Sequence, residues 1–413
     1  MGRTPKAKQP MNIIILSDGA HVIGGADKVA ITSAIGLANR GHKVHLIAAI
    51  GPVDDSLDDI ENLTVFCTDQ GSLSGMEFHK TRMWNLASSS ALNEHISALD
   101  TKDSIIHSHC YYGMLSSSII DAAITSWIPT LITMHDYGIA CPQRNFFHYG
   151  ENKICHRKPL SLSCICTNCT TGSMKSKIPM LAVSMVQKNR ARVAERVDHV
   201  AFVSEFSQKI ISPFLSASAR QFLIQNPVDV AQTPRSIAES NSEIVFIGRM
   251  VAEKAPVQVA QAAREAGVKI LFIGDGPQRE EVLRVNPDAE CSGWLDAAGV
   301  HARLARARAF VMPSIWYECS PLSTIEAQAH GLPVIVADTN ASQEEVENGA
   351  TGFIYKGGEV GQLIECMIKL KNDKTVHEMS IATYDRFWSS PPSMERHLDR
   401  LEEVYREVLG NND

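Results

Sequence analysis

The stretch Ile315 to Gly331, IWYECSPLSTIEAQAHG, decides the fold. Ahead of it, Phe310-Val311-Met312-Pro313 reads as a short buried strand, and behind it Val334-Ile335-Val336-Ala337 reads as the next. The spacing predicts a loop and then a helix, with Ser320 as N-cap, Pro321 as first helical residue and Gly331 as its stop. In a parallel sheet such a helix presents its N-terminal amides, here those around Ser320, Pro321 and Leu322, at the carboxyl edge, where phosphates bind. Glu318 on the loop and Glu326 about one and a half turns into the helix have seven residues between them. Both can face one ligand. Taken alone, the pair also suits an ordinary βαβ unit with two solvated acids.

A chain of 413 residues has room for two or three domains with sizeable cores. Its 44% hydrophobic and 21% charged residues are those of a globular protein, and a net charge of −7 argues against nucleic acid as a partner. No apolar run reaches the roughly 18 residues of a membrane span. Residues 1–10 read as a disordered tail, and Ile13 to Leu16 is too short for a signal-peptide core, so the expectation is a cytoplasmic protein.

Strands are expected at Asn12 to Leu16 and Val44 to Ile50, joined through a loop holding Gly24 and Gly25 and a helix that Asp27 can cap. The loop is not G-x-G-x-x-G, which disfavours a dinucleotide site. Strands ending at His109 and at His135-Asp136 place two histidines at the carboxyl edge, where they would face a cleft. Cys141, Cys155, Cys164, Cys166 and Cys169 follow, and Cys-x-Cys-x-x-Cys has zinc-like spacing. Structural zinc, free thiols and a redox or iron–sulfur site are the readings; four thiolates would fix a long loop with little core of its own. Lys175, Lys177, Lys188, Arg190, Arg192 and Arg196 surround the apolar run Ile178 to Val186. This is a basic amphipathic helix, either simply solvated or in peripheral contact with anionic lipid.

After a polar linker, Glu243 to Ile247 reads as a strand leading into Gly248-Arg249-Met250-Val251-Ala252-Glu253-Lys254. Arg249 and Lys254 on one loop are spaced to stabilise negative charge on one ligand, and no Asp-x-Asp metal motif is apparent nearby. Gly274 and Gly276 form a turn after the next strand, and Leu398, Leu401, Val404, Tyr405 and Val408 have helical spacing near the C-terminus.

Together, Glu318 and Glu326 with the following Ala-x-Ala-x-Gly-x-Pro-Val, and the G-R-x-x-x-E-K stretch at 248–254, resemble the retaining family-4 glycosyltransferases of the GT-B fold. The resemblance runs from about residue 11 to 409 and is thin over 52–100. It implies an α/β chain of two Rossmann-like, doubly wound domains facing a cleft. Residues 11–235, with a Cys-rich insertion at 141–169, would form the acceptor-side domain. Residues 242–385 would bind the nucleotide sugar, and 392–413 would be a helix crossing back.

Carried over, Glu318 holds the donor sugar, Glu326 the ribose, and Arg249 and Lys254 the diphosphate. Gly24 and Gly25 match a "GGA" loop under the phosphates, a tight turn without ligand being the competing reading. Gly248, Gly274 and Gly276 border the nucleotide. His135 contacts the donor sugar, and His109 lies toward the acceptor. Two departures stand out: Ala255-Pro256 where glycine is common, and Asn340-Ala341 where two glycines precede the glutamate.

The expected activity is retaining transfer from a nucleotide sugar to a saccharide or lipid-linked acceptor in cell-surface polysaccharide synthesis, at the inner face of the membrane, with no cofactor in catalysis. A non-catalytic GT-B scaffold and a GT-B epimerase or phosphorylase are the alternatives.

Overall fold

Ile13, Ile14, Ile15 and Leu16 have no solvent exposure on either side of the backbone. Continuous apolar runs like this one belong to parallel strands covered on both faces. The computed structural model, which describes residues 9–99 and 101–410, places this run in the middle of a seven-stranded parallel sheet. Its strands are β1 (Asn12–Gly19), β2 (Lys43–Ile50), β3 (Leu63–Cys67), β4 (Ser104–Ser108), β5 (Thr130–Met134), β8 (His199–Phe202) and β9 (Arg220–Leu223), in the order 3-2-1-4-5-8-9. The insertion supplies the short antiparallel hairpin β6 (Phe147–His148) and β7 (Lys153–Ile154).

A second parallel sheet has the order 12-11-10-13-14-15. Its strands are β10 (Glu243–Ile247), β11 (Lys269–Ile273), β12 (Glu290–Gly293), β13 (Ala309–Met312), β14 (Val334–Ala337) and β15 (Gly352–Tyr355). The chain is thus α/β, with two Rossmann-like domains. Most of the disordered-tail expectation, residues 1–8, falls outside the described residues.

In both sheets the strand order reverses beside the first strand, between β1 and β4 and between β10 and β13. Loops leaving the carboxyl ends of two such strands diverge to opposite faces and open a crevice between them. Four functional loops leave from these points: Gly19–Gly25, His109–Leu115, Gly248–Lys254 and Ser314–Pro321.

The last helix, Met394–Val408, lies on the first domain. Leu398, Leu401, Val404, Tyr405 and Val408 join the core formed by Ile13, Ile31, Ala34 and Leu37. Gly36 lets the two helices approach closely, since a Cβ would stand 2.6 Å from a Leu398 methyl carbon. Arg40 fixes the same helix by pairing with Asp399 at 2.7 Å and Glu402 at 3.0 Å.

Two expectations about helix ends need correction. The helix after β13 spans Leu322–Ala329, so Pro321 is its N-cap and the Ser320 side chain does not cap it. Serine commonly caps by accepting an amide hydrogen bond, but here the chain stays extended one residue longer. The first helix spans Gly25–Asn39 with Gly24 as N-cap, and Asp27 at the third helical position reaches back to the Gly24 amide at 3.2 Å.

The basic helix also differs from expectation. Met174–Val186 is helical and passes into a wider turn over Gln187–Ala191. Its six basic residues do not share a solvated face. Lys177 is buried, Arg190 stacks on the Trp84 ring at 3.7 Å, Arg192 pairs with Glu195, and Arg196 pairs with Asp121. Lys175, Lys188, Arg190 and Arg192 are exposed, Lys175 and Lys188 beside the exposed side chains of Ile178 and Met185.

Candidate active site between the two domains

The loop after β1 is held open by two carboxylates. Asp27 accepts hydrogen bonds from Ser17 Oγ at 2.9 Å and from the Gly19 and Gly24 amides at 3.1 and 3.2 Å. Asp18 accepts from the amides of Gly113 at 2.7 Å and Leu115 at 2.8 Å, drawing the loop after β4 to the same edge. His109 and His135 meet there, with Nδ1 of the first 3.1 Å from Nε2 of the second. Behind them, His107 bonds Tyr405 Oη at 2.6 Å and Thr133 Oγ1 at 2.7 Å. His397 of the last helix lies against the Gln225 carbonyl at 2.8 Å and Ser33 Oγ at 2.9 Å.

Burial keeps these rings neutral, and their mutual repulsion adds to it. His135 falls to about 3 and His397 to about 4, while His107 and His109 also lie well below the ordinary range. The buried Nε2 of His109 has no hydrogen-bond partner among the described residues.

From the second domain come Lys254 and Glu318, which form an ion pair with side chains 15% and 11% exposed. Ser314 Oγ at 2.8 Å and Trp316 Nε1 at 2.9 Å donate to the same oxygen, Oε1. Burial raises the Glu318 carboxyl, but Lys254 and these donors outweigh it and hold it below the ordinary value. Oε2 takes no protein donor among the described residues.

A cavity of about 250 Å³ joins the two sets. Gly25, His109 and His135 line it from one side, and Glu318, Ser320 and Leu322 from the other. Lys254, Arg249 and Glu326 do not line it. Arg249 is exposed on its loop, and Glu326 is half-buried on the helix with no side-chain partner among the described residues.

Gly274 and Gly276 have a packing reason to be glycine. A Cβ on Gly274 would lie 2.1 Å from the Gly248 carbonyl oxygen, and one on Gly276 would lie 2.6 Å from that of Met250. They let the two loops of the second domain stack, as Met250 N to Asp275 O at 2.9 Å shows.

The departures from the glycine pattern also have physical content. Ala255 has φ 50 and ψ 39, the left-handed region that glycine enters without steric penalty. Asn340 accepts from Ser342 N at 3.0 Å and donates to the Ala337 carbonyl at 3.1 Å, replacing glycine's flexibility with a fixed turn. The turn aims Glu344 across the cleft, where it accepts from the amides of Glu205 and Phe206 at the start of helix Glu205–Ile211.

Sequence reasoning missed several lining residues. Asp136 and Arg144 form an ion pair, and Arg144 lies over Tyr112 at 5.2 Å. Asp136, Tyr112 and Arg144 all line the cavity. Asp136 stood in the quoted His-Asp stretch; nothing local marked Arg144, eight residues further on. Trp316 lay inside the deciding stretch, but its bond to Glu318 could not be read from spacing.

The cysteines divide four to one. Cys141, Cys155, Cys164 and Cys169 line one small cavity, whereas Cys166 is exposed and does not. The run Cys164-x-Cys166-x-x-Cys169 is therefore not a unit. The helix Leu162–Cys166 turns the Cys166 side chain outward.

Residues 23–232 match the family described as Glycosyltransferase Family 4, and residues 241–373 match Glycosyl transferases group 1. The chain belongs to glycosyltransferase family 4, and its two facing domains are the GT-B arrangement. Among curated relatives, it is 23% identical over 201 residues to an Escherichia coli UDP-Gal:alpha-D-GlcNAc-diphosphoundecaprenol alpha-1,3-galactosyltransferase. That match covers 45% of this chain and 51% of the relative. It is 24% identical to a Mycobacterium tuberculosis glycogen synthase, over 60% of this chain and 61% of that one. The chain thus spans about half to three fifths of the length of these relatives.

Among solved structures, a Thermosynechococcus elongatus sucrose-phosphate synthase superposes with a TM-score of 0.71 at 16% identity, covering 97% of this chain and 100% of that one. Anabaena HepE in complex with UDP and glucose superposes with a TM-score of 0.65 at 15% identity, covering 96% and 100%. At these identities the likeness concerns the fold.

Proposed function

We propose that the chain transfers a sugar from a nucleotide-sugar donor to a saccharide or lipid-linked saccharide, retaining anomeric configuration, in the synthesis of cell-surface polysaccharide. The observation that carries this reading is the Lys254–Glu318 pair, whose carboxylate lines a cavity shared by both domains before a helix N-terminus. Glu318 Oε2 accepts from hydroxyls of the donor sugar. Lys254, together with Arg249 once a donor bridges to it, stabilises charge on the departing diphosphate, and the first amides of Leu322–Ala329 assist. Glu326 on that helix takes the ribose hydroxyls. Neutral His135 offers a hydrogen bond without charge, and His109 Nε2 takes one from the acceptor side.

Retaining glycosidases use two free carboxyl groups about 5 Å apart, whereas the two carboxylates lining this cavity, Asp136 and Glu318, are held in ion pairs with Arg144 and Lys254. The leaving phosphate oxygen therefore takes the acceptor's proton on the face from which it departs, which gives retention. The E. coli relative's name, with its UDP-linked donor, lipid diphosphate acceptor and alpha product, supports donor, acceptor and stereochemistry alike.

The test offers purified protein α-linked UDP and GDP sugars with saccharide and lipid-diphosphate acceptors, and reads the product's anomeric proton by NMR. An α-linked product is expected. A β-linked product would overturn retention, and absence of transfer with every pair would overturn the activity.

The expected place of work is the inner membrane face. No helix among the described residues is long and apolar enough to cross a membrane. Near an anionic surface each basic residue contributes on the order of 1 kcal/mol, and the helix Met174–Val186 and its extension bring two, Lys175 and Lys188, that are exposed and take no ionic or ring partner among the described residues. Co-sedimentation with anionic vesicles is expected to be weak at low salt, lost at physiological salt, and abolished by Lys175→Glu with Lys188→Glu. Salt-insensitive binding would point to another surface.

A further inference from the structure

Between the first sheet and the second domain lies a part of the molecule that the transfer reaction leaves unexplained. Cys141, Cys155, Cys164 and Cys169 surround a cavity of about 20 Å³, with Arg157 and Lys177 in its wall. A volume of this size accommodates one small sphere, since about 10–15 Å³ suffices for a water. Among the described residues no group of three or more His, Cys, Asp or Glu stands in an arrangement that could hold a metal ion. Binding an ion therefore requires the thiols to draw in on the space they share.

Two observations favour that occupant over four inert thiols. Lys177 is 1% exposed, and its ammonium donates only to carbonyls, Thr167 O at 2.6 Å and Cys164 O. No carboxylate partners it among the described residues, although a buried ammonium calls for a counter-charge. Arg157 brings a second cation, its Nη1 3.9 Å from Cys155 Sγ.

We infer that Cys141, Cys155, Cys164 and Cys169 form a tetrahedral zinc site, with Cys166 outside it. Zinc suits four soft thiolates in tetrahedral array. Four thiolates and one Zn2+ carry a net charge of −2, which Lys177 and, shared with Glu151, Arg157 offset in part. Binding expels the four thiol protons to solvent, and no electron moves.

The site has a mechanical consequence. The hairpin β6–β7 lies between Cys141 and Cys155, and Tyr149 N bonds the Cys169 carbonyl at 3.2 Å. At its tip Phe147 and Tyr149 pack on Ala255, Ile315 and Trp316 of the second domain, and Tyr149 Oη donates to Glu253 at 3.1 Å. A metal closing the base of this hairpin fixes its contact with the loop that carries Lys254.

The test measures metal in protein purified without added zinc, by elemental analysis. One zinc per chain is expected, retained in Cys166→Ser and lost in Cys164→Ser and Cys169→Ser. An organomercurial titrating the wild type should release the zinc and lower Tm. Replacement by Co2+ should give the intense d–d bands of tetrahedral thiolate cobalt, a readout independent of activity and of whether the serine variants fold. Metal-free protein with all ten thiols titratable, or iron with visible cluster absorption, would overturn the assignment. So would loss of zinc in Cys166→Ser.

Discussion

Lys254→Ala is expected to lower kcat about 100-fold or more, the usual effect of removing one preorganised stabiliser of developing charge. The sequence alone suggests that such a change would spare stability, since a loop lysine reads as a surface residue. The structure changes that expectation. Lys254 is the cation paired with Glu318, and the Glu318 side chain is 11% exposed. Removing one partner of a buried pair leaves the other charge uncompensated, at about 3 kcal/mol or more.

Ser314 and Trp316 still donate to the carboxylate, so the single variant should fold with a lower Tm. Adding Glu318→Gln should recover most of that Tm, because the buried group is then neutral, and should recover none of the activity. The informative measurement is this pair of variants followed by both denaturation and turnover. Wild-type turnover in folded Lys254→Ala would remove the assignment of Lys254 to the diphosphate. Activity regained in the double variant would show that the pair is structural.

A fall of several degrees in Tm is expected between pH 7.5 and pH 5.5, through the buried histidines. His135 and His397 have ordinary values of 6.5 and fall to about 3 and about 4 in the folded protein, chiefly because burial disfavours the charged ring. Between those values and 6.5 the unfolded chain binds more protons than the folded one, so stability rises with pH. The contribution is complete above 6.5 and is lost progressively as pH falls. At pH 5.5 each group is one unit below its unfolded value, which is about 1.4 kcal/mol. Two groups give about 3 kcal/mol, or about 5–10 °C for a cooperative unit the size of the first domain.

His107 and His109 shift the same way and add to the effect. The window lies above the range in which ordinary carboxylates titrate. A Tm flat across it would mean that these rings are solvated, and with that the neutral hydrogen-bonding role of His135 would go. Restoring the starting pH should restore Tm, which separates protonation from irreversible damage.

Sequence alone determined the central strands of both sheets, because apolar runs at parallel-strand length and the glycines that stop helices are local signals, whereas the edge strands β3 and β9 carried no such run. Glu243 to Ile247 and Val334 to Ala337 have the bounds that patterning predicts. The stripe from Leu398 to Val408 was equally legible, since its spacing alone defines one buried face. Glu318, Lys254, His109 and His135 could be singled out because each sits where a strand ends and a loop begins.

Tertiary structure decided what these groups touch. That Lys254 pairs with Glu318, 64 residues away, follows from two loops leaving neighbouring strands at one switch point. That His109, His135, His107 and His397 form one neutral cluster depends on a C-terminal helix docking nearly 300 residues from β4. Burial of Lys177 and exposure of Cys166 reversed the local reading of a basic face and a Cys-x-Cys-x-x-Cys unit. Spacing along the chain records which side chains are neighbours on one element. The charge a side chain can carry depends on which other elements close over it, and that is set only when the chain folds.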